Sequence, residues 1–280
     1  MTVRGIVGFL STKPRSAAGA GGQMALADHF RELRARLLRS VLVFLVLLIA
    51  AFFFYNQLFD LLLKPYNHAR ELLGHGRVSM PVISGVGGPF MLQIKLCAAA
   101  AVVCSSPYWL YQIWSFILPG LHANERRWTR IFAAVAGPLF LAGVATGYWI
   151  LPKGLHVLLG LTPASVENLV EFNEYFSFVV RLLLLFGVAF EIPLFVIMLN
   201  LAGVITGRKL GQYRPWIIVG VFTFAAVATP STDPFTMCML AVPMTVLFMI
   251  SELVARLVDR RRAAASPEWD DDQASPLGTD

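Results

Sequence analysis

The chain has 280 residues, of which 57% are hydrophobic and only 14% charged, against about 45–50% and about 25% in soluble domains. That is too little charge to cover a water-soluble fold, too few cysteines (three) for a disulfide framework, and too much hydrophobicity for a disordered chain. An all-α, polytopic integral membrane protein is the class that remains.

In chain order, residues 1–27, with their Gly, Ala, Ser and Arg, read as a disordered cytoplasmic tail. The apolar stretch at 5–10 is shorter than the roughly 7–15 residues of a secretory signal. Residues 28–39 follow as Asp-His-Phe-Arg-Glu-Leu-Arg-Ala-Arg-Leu-Leu-Arg. If the first helix extends back through them, Phe30, Leu33 and Leu37 form an apolar stripe, and the polar face carries Arg31, Arg34, Arg36, Arg39 and one acid, Glu32. Read as an interfacial anchor, this stretch contains a Glu32–Arg36 pair at i,i+4, which contributes about 0.2–0.5 kcal/mol.

A helix needs about 20 apolar residues to cross a hydrocarbon core of roughly 30 Å. The runs at 40–59, 89–109, 131–151, 175–199, 215–229 and 234–251 predict six spans within a membrane domain at 28–255. Pro89, Pro215 and Pro234 stand where helices begin and the missing N–H does no harm, and Asp233 is placed to N-cap the last span. Pro107, Pro138, Pro193 and Pro243 lie inside apolar runs and predict kinks in some of them. The fifth span covers only about 22 Å, so either it thins the bilayer or shelters against longer neighbours, or a snorkelling Arg214 extends it. Residues 256–280 read as a disordered cytoplasmic tail, with Arg260–Arg262 beside the membrane and Asp270–Asp272 beyond.

Six spans put both ends on one side. Of the 23 Lys and Arg residues, 17 fall in segments sharing a side with the termini, four in the opposite loops (60–88 and 152–174) and two, Lys95 and Arg181, within spans. The positive-inside rule then makes both ends cytoplasmic. The net charge of +6 follows from this topology and requires no nucleic acid.

Catalytic signatures are missing: there is no metalloprotease helix, nucleophile elbow or phosphate-binding glycine loop. Neither an enzyme nor a cofactor is expected. Two features carry chemistry instead. Residues 111–121 are aromatic and apolar yet lie beyond the second span, and they lead to Glu125 just before Arg126 and Arg127. Such a segment suits a ligand that is partly greasy and partly cationic; it also suits an interfacial helix anchored by Trp114. Glu191 is a carboxylate inside the fourth span, where it faces a cavity or a partner by default.

At these motifs the chain resembles a known family, TatC, the polytopic core of the twin-arginine (Sec-independent) protein translocase. The resemblance covers about residues 24–255. It rests on His-Phe-Arg-Glu-Leu-Arg-Ala-Arg-Leu at 29–37, Lys64-Pro65, the 111–127 segment, Phe190-Glu191-Ile192-Pro193, Arg214-Pro215 and Thr229-Pro230-Ser231-Thr232-Asp233-Pro234. It implies a concave six-helix bundle in the plasma membrane, acting as receptor for folded cargo with Arg-Arg signal peptides. TatA- and TatB-type single-span subunits are the implied partners, self-association is expected, and the proton-motive force is the implied energy source.

By the same resemblance, Glu32 and Glu125 bind the signal, with Arg34 and Phe116 in support. Carboxylates match the guanidinium fork that a lysine cannot reproduce, and hydrogen bonds to charged groups contribute about 1.5–3 kcal/mol each. Glu191 is implied to meet a partner helix. Asp233 matches a functional family position, although a helix cap explains it equally well. Met237 stands where many family members carry glutamine, so that polar contact does not transfer. The alternative is a proton-coupled small-solute secondary transporter using Glu191, against which the absence of an internal repeat argues.

Overall fold

The computed structural model describes residues 26–73, 79–117, 126–163, 168–229 and 233–265. Helix α1 spans Leu26–Phe53 and so does run back through the arginine-rich stretch. It breaks at Phe54, earlier than the expected end at 59, and α2 follows over Tyr55–Leu73. Pro65 inside α2 has no N–H to give the Leu61 carbonyl one turn earlier. The Tyr148 hydroxyl donates to that carbonyl at 2.9 Å, and the Tyr175 hydroxyl donates to the adjacent Leu62 carbonyl at 2.8 Å. Two tyrosines thus satisfy the turn that the proline opens.

After strand β1 (Ser79–Val82) come α3 (Gly88–Cys104) and α4 (Ser106–Ile117), which meet at a 53° bend. Pro107 supplies the cause, since it withholds a donor and disfavours helix in the residue before it. The Val102 carbonyl at the bend accepts from both the Ser105 hydroxyl and the Trp109 indole, each at 3.1 Å. The segment expected as an apolar loop after the second span is therefore helical as far as Ile117.

Helix α5 (Arg126–Gly160) is continuous over 35 residues despite Pro138 and Pro152. Strand β2 (Asn168–Glu171) pairs in parallel with β1, Ser79 opposite Asn168 and Val82 opposite Glu171. This small sheet ties the α2–α3 and α5–α6 connections together and is the one departure from all-α among the described residues. Helices α6 (Phe172–Phe190) and α7 (Ile192–Leu201) are separated at Glu191, just ahead of Pro193. Helix α8 covers Gly207–Ala228, and α9 covers Pro234–Ala265 with Pro243 inside it. Prolines therefore coincide with breaks at 107 and 193, while the helices run on through 138 and 243. The C-terminal tail expected from 256 is corrected in its first ten residues, which continue α9.

Among the described residues, four stretches are long and apolar enough to cross a membrane: Phe30–Phe53, Ala134–Gly160, Phe172–Leu201 and Pro234–Arg261. The bent α3–α4 pair makes a fifth. The remaining expected span is α8, whose first turns carry Arg208, Lys209 and Arg214 and whose apolar part is short. Packing runs α5 against α6, α4 and α2, α1 against α3, and α9 against α8 and α7. Where α5 crosses α6, a Cβ on Gly143 would come within 2.5 Å of the Phe186 carbonyl oxygen, and one on Gly147 would meet the Phe186 ring. The Gly-xxx-Gly spacing lets the two backbones approach.

Candidate functional site

The N-terminal part of α1 carries the first cluster. Glu32 and Arg36 lie one turn apart on one face, and the Arg36 Nε donates to Glu32 Oε1 at 2.9 Å. Their side chains are only 23% and 19% exposed. Arg36 Nη1 also reaches across to the Gln112 Oε1 on α4 at 3.3 Å. Gln112 is buried, and Phe116, half-buried, sits four residues further along α4 on the same face. Arg34 is exposed, as are Phe30, Leu33 and Leu37 of the apolar stripe. Glu125 lies outside the described residues, so its distance from Glu32 is not part of this geometry.

The opposite face of α4 serves a second carboxylate. Trp114, 4% exposed and packed with Phe132 and Phe140, donates its indole N–H to Glu191 Oε2 at 3.2 Å. This is not the side chain of an interfacial anchor. Glu191 sits at the α6–α7 break, where its own carbonyl accepts from the Phe195 N–H at 2.9 Å. Its Oε1 is buried without a hydrogen-bond partner among the described residues. Gln112 and Trp114 are two residues apart, roughly 200° around the helix. That spacing lets one short helix reach Arg36 of the first pair with Gln112 and the Glu191 carboxylate with Trp114.

Asp233 acts as the N-cap of α9. Its Oδ1 accepts from the Thr236 N–H at 2.8 Å, and its Oδ2 accepts from the Thr236 hydroxyl at 2.6 Å. Met237, on the next turn, is half-buried against the main core. An apolar cavity of about 380 Å³ opens between α2, α3, α5 and α6, lined by Leu96, Val103, Leu141, Ala145, Val179 and Leu183.

Sequence reasoning missed a further acid. Glu252 on α9 is 2% exposed, yet it accepts from Arg214 Nε at 3.0 Å and Nη2 at 2.8 Å, and pairs with Arg256 at 2.6 Å. About two turns on, Asp259 accepts from the Asn200 amide at 2.7 Å and from the Gly207 N–H at 2.6 Å. The i,i+4 spacing of Glu252 and Arg256 was a visible signal; the partners on α7 and α8 were not.

Comparison with known proteins gives a consistent result. The family model described as Sec-independent protein translocase protein (TatC) matches residues 28–243. A Sec-independent protein translocase protein TatC from Frankia casuarinae is 42% identical over 272 residues, covering 92% of this chain and 74% of that relative. One from Corynebacterium kroppenstedtii is 39% identical over 280 residues, covering 91% and 68%. Among solved structures, the crystal structure of the twin arginine translocase receptor TatC in DDM superposes with a TM-score of 0.71 at 33% identity, covering 81% of this chain and 99% of that one.

Proposed function

The chain belongs to the TatC family of Sec-independent protein translocase proteins, and from that membership we propose that its cytoplasmic end receives Arg-Arg signal peptides of folded cargo. It is a multi-pass membrane component of the translocase, and this replaces the solute-transporter reading of Glu191. The observation that carries the proposal is Glu32. A single acid, partly shielded from water, is already engaged by a guanidinium beside the half-buried Phe116 helix. An environment that holds one guanidinium suits another of the same geometry. Glu125 is proposed as the second acceptor, with Arg34 and Phe116 lining the approach.

Glu191, at the break between α6 and α7, is proposed to meet a TatA- or TatB-type transmembrane helix, and Asp233 and Met237 to lie along the path of such partners. The protein is proposed to sit in the plasma membrane with both ends cytoplasmic, to self-associate in the complex, and to support export driven by the proton-motive force. The test is binding of a synthetic Arg-Arg signal peptide by the purified full chain, compared with a Lys-Lys version. Glu32→Ala or Glu125→Ala weakens capture by about ten-fold, equivalent to about 1.4 kcal/mol, while membrane insertion is unchanged. Normal binding by the double variant overturns the reading.

A further inference from the structure

We propose that Arg36 is a built-in competitor for the signal peptide: at rest its guanidinium occupies Glu32, and an incoming arginine binds by displacing it. The inference rests on the reading of Glu32 as the peptide's acceptor and adds how that acceptor is guarded. Two donors of Arg36, Nε and Nη2, both fall on the single Oε1 of Glu32. The pair is local to one helix, four residues apart, so it forms without any partner. It also occupies the acceptor with the chemical group that the peptide would bring.

Gln112 makes the exchange feasible. Its Oε1 already holds Nη1 of Arg36 at 3.3 Å from the neighbouring helix, and Gln112 itself is 8% exposed. A guanidinium has five N–H donors in a fixed fork, so Arg36 can give up Glu32 while keeping Gln112. The displaced cation is then not stranded beside the arriving arginine without a hydrogen-bond acceptor.

A competitor of this kind lowers the apparent affinity by the fraction of time the acceptor is free. It weakens every cationic ligand by one common factor, leaving the Arg-to-Lys preference unchanged. Its effect is a threshold: ligands of modest intrinsic affinity, such as single cations or Lys-Lys sequences, fall below useful occupancy.

The test is a double-mutant cycle on the purified full chain, with synthetic Arg-Arg and Lys-Lys signal peptides as probes. Arg36→Gln is expected to tighten both peptides equally, by about three-fold or more given a pair closed most of the time. In a Glu32→Gln background the same substitution yields no gain, since nothing remains to be freed. Arg36→Met provides a second variant that cannot hydrogen-bond to Glu32. Weaker or unchanged binding by both Arg36 variants overturns the proposal and makes Arg36 a positioning residue for Glu32. A gain that persists in the Glu32→Gln background also overturns it, because relief of bulk positive charge would then be the cause. Full peptide affinity in Glu32→Gln alone is a separate outcome: it removes the receptor reading of Glu32 and this inference with it.

Discussion

Glu191 shows how a single costly side chain is accommodated. An ionisable group at membrane depth is expensive, and among the described residues its carboxylate has one hydrogen-bond donor, the Trp114 indole 77 residues away in sequence. Trp114→Phe keeps most of the ring packing against Phe132 and Phe140 but removes the donor. It is expected to cost about 1–3 kcal/mol, the penalty for stripping a buried polar group of its partner, read as a lower thermal transition in detergent. Glu191→Gln keeps an acceptor for the indole and is expected to cost less, while impairing transport and leaving signal-peptide capture intact. A Glu191→Gln protein that transports normally removes the partner-helix role. The acid was legible in the sequence because a carboxylate in an apolar run stands out. Its partner was not, because Trp114 lies in an aromatic segment whose tertiary direction no local pattern encodes. The same contrast holds for Arg36: its pairing with Glu32 follows from i,i+4 spacing, whereas its reach to Gln112 depends on how α1 and α4 pack.

At the scale of elements, the short α8 is the one that needs explaining. Its apolar part is too short to hold itself in a full-thickness bilayer, yet it packs along α9. The polar end of that pair is fastened by Glu252, whose buried carboxylate takes Arg214 from α8 and Arg256 from α9, and by Asp259, which takes the first N–H of α8. The two arginines are 43% and 47% exposed, so either alone is screened by water, but the acid between them is 3% exposed. Arg214→Met or Arg256→Met singly is therefore expected to lower the thermal transition only slightly, because the other guanidinium remains. The double variant leaves a buried carboxylate unpaired and is expected to cost about 3–5 kcal/mol, more than the two singles combined. Strictly additive losses in thermal unfolding would mean that Glu252 does not clamp the pair. The shortness of α8 was readable from the sequence, and so were breaks near Pro107 and Pro193. The break at Phe54 has no proline to announce it, and the β1–β2 pairing joins four-residue strands too brief for any periodicity to register.

For the molecule as a whole, orientation follows from charge, and helix length adds a second argument. At 1.5 Å per residue α5 reaches about 52 Å, longer than the roughly 40–45 Å of a bilayer with its headgroups. It must therefore protrude, and it starts at Arg126 and Arg127. Helix α9 protrudes likewise through Arg260 and Arg261. Lys and Arg are retained on the cytoplasmic side, so both overhangs are proposed to point inward and the β1–β2 sheet to lie outside. Val86, fully exposed in the turn between that sheet and α3, and Arg260, exposed near the end of α9, mark the two sides. In a chain with Cys97, Cys104 and Cys238 replaced by alanine, Val86→Cys is expected to react with a membrane-impermeant maleimide in intact cells. Arg260→Cys is expected to react only after the membrane is opened. The reverse pattern would invert the molecule and put the Glu32 end outside, where no cytoplasmic cargo could reach it. Labelling of both positions in intact cells would mean an odd number of spans between Val86 and Arg260 had become an even one, which would leave α8 lying on the surface instead of crossing.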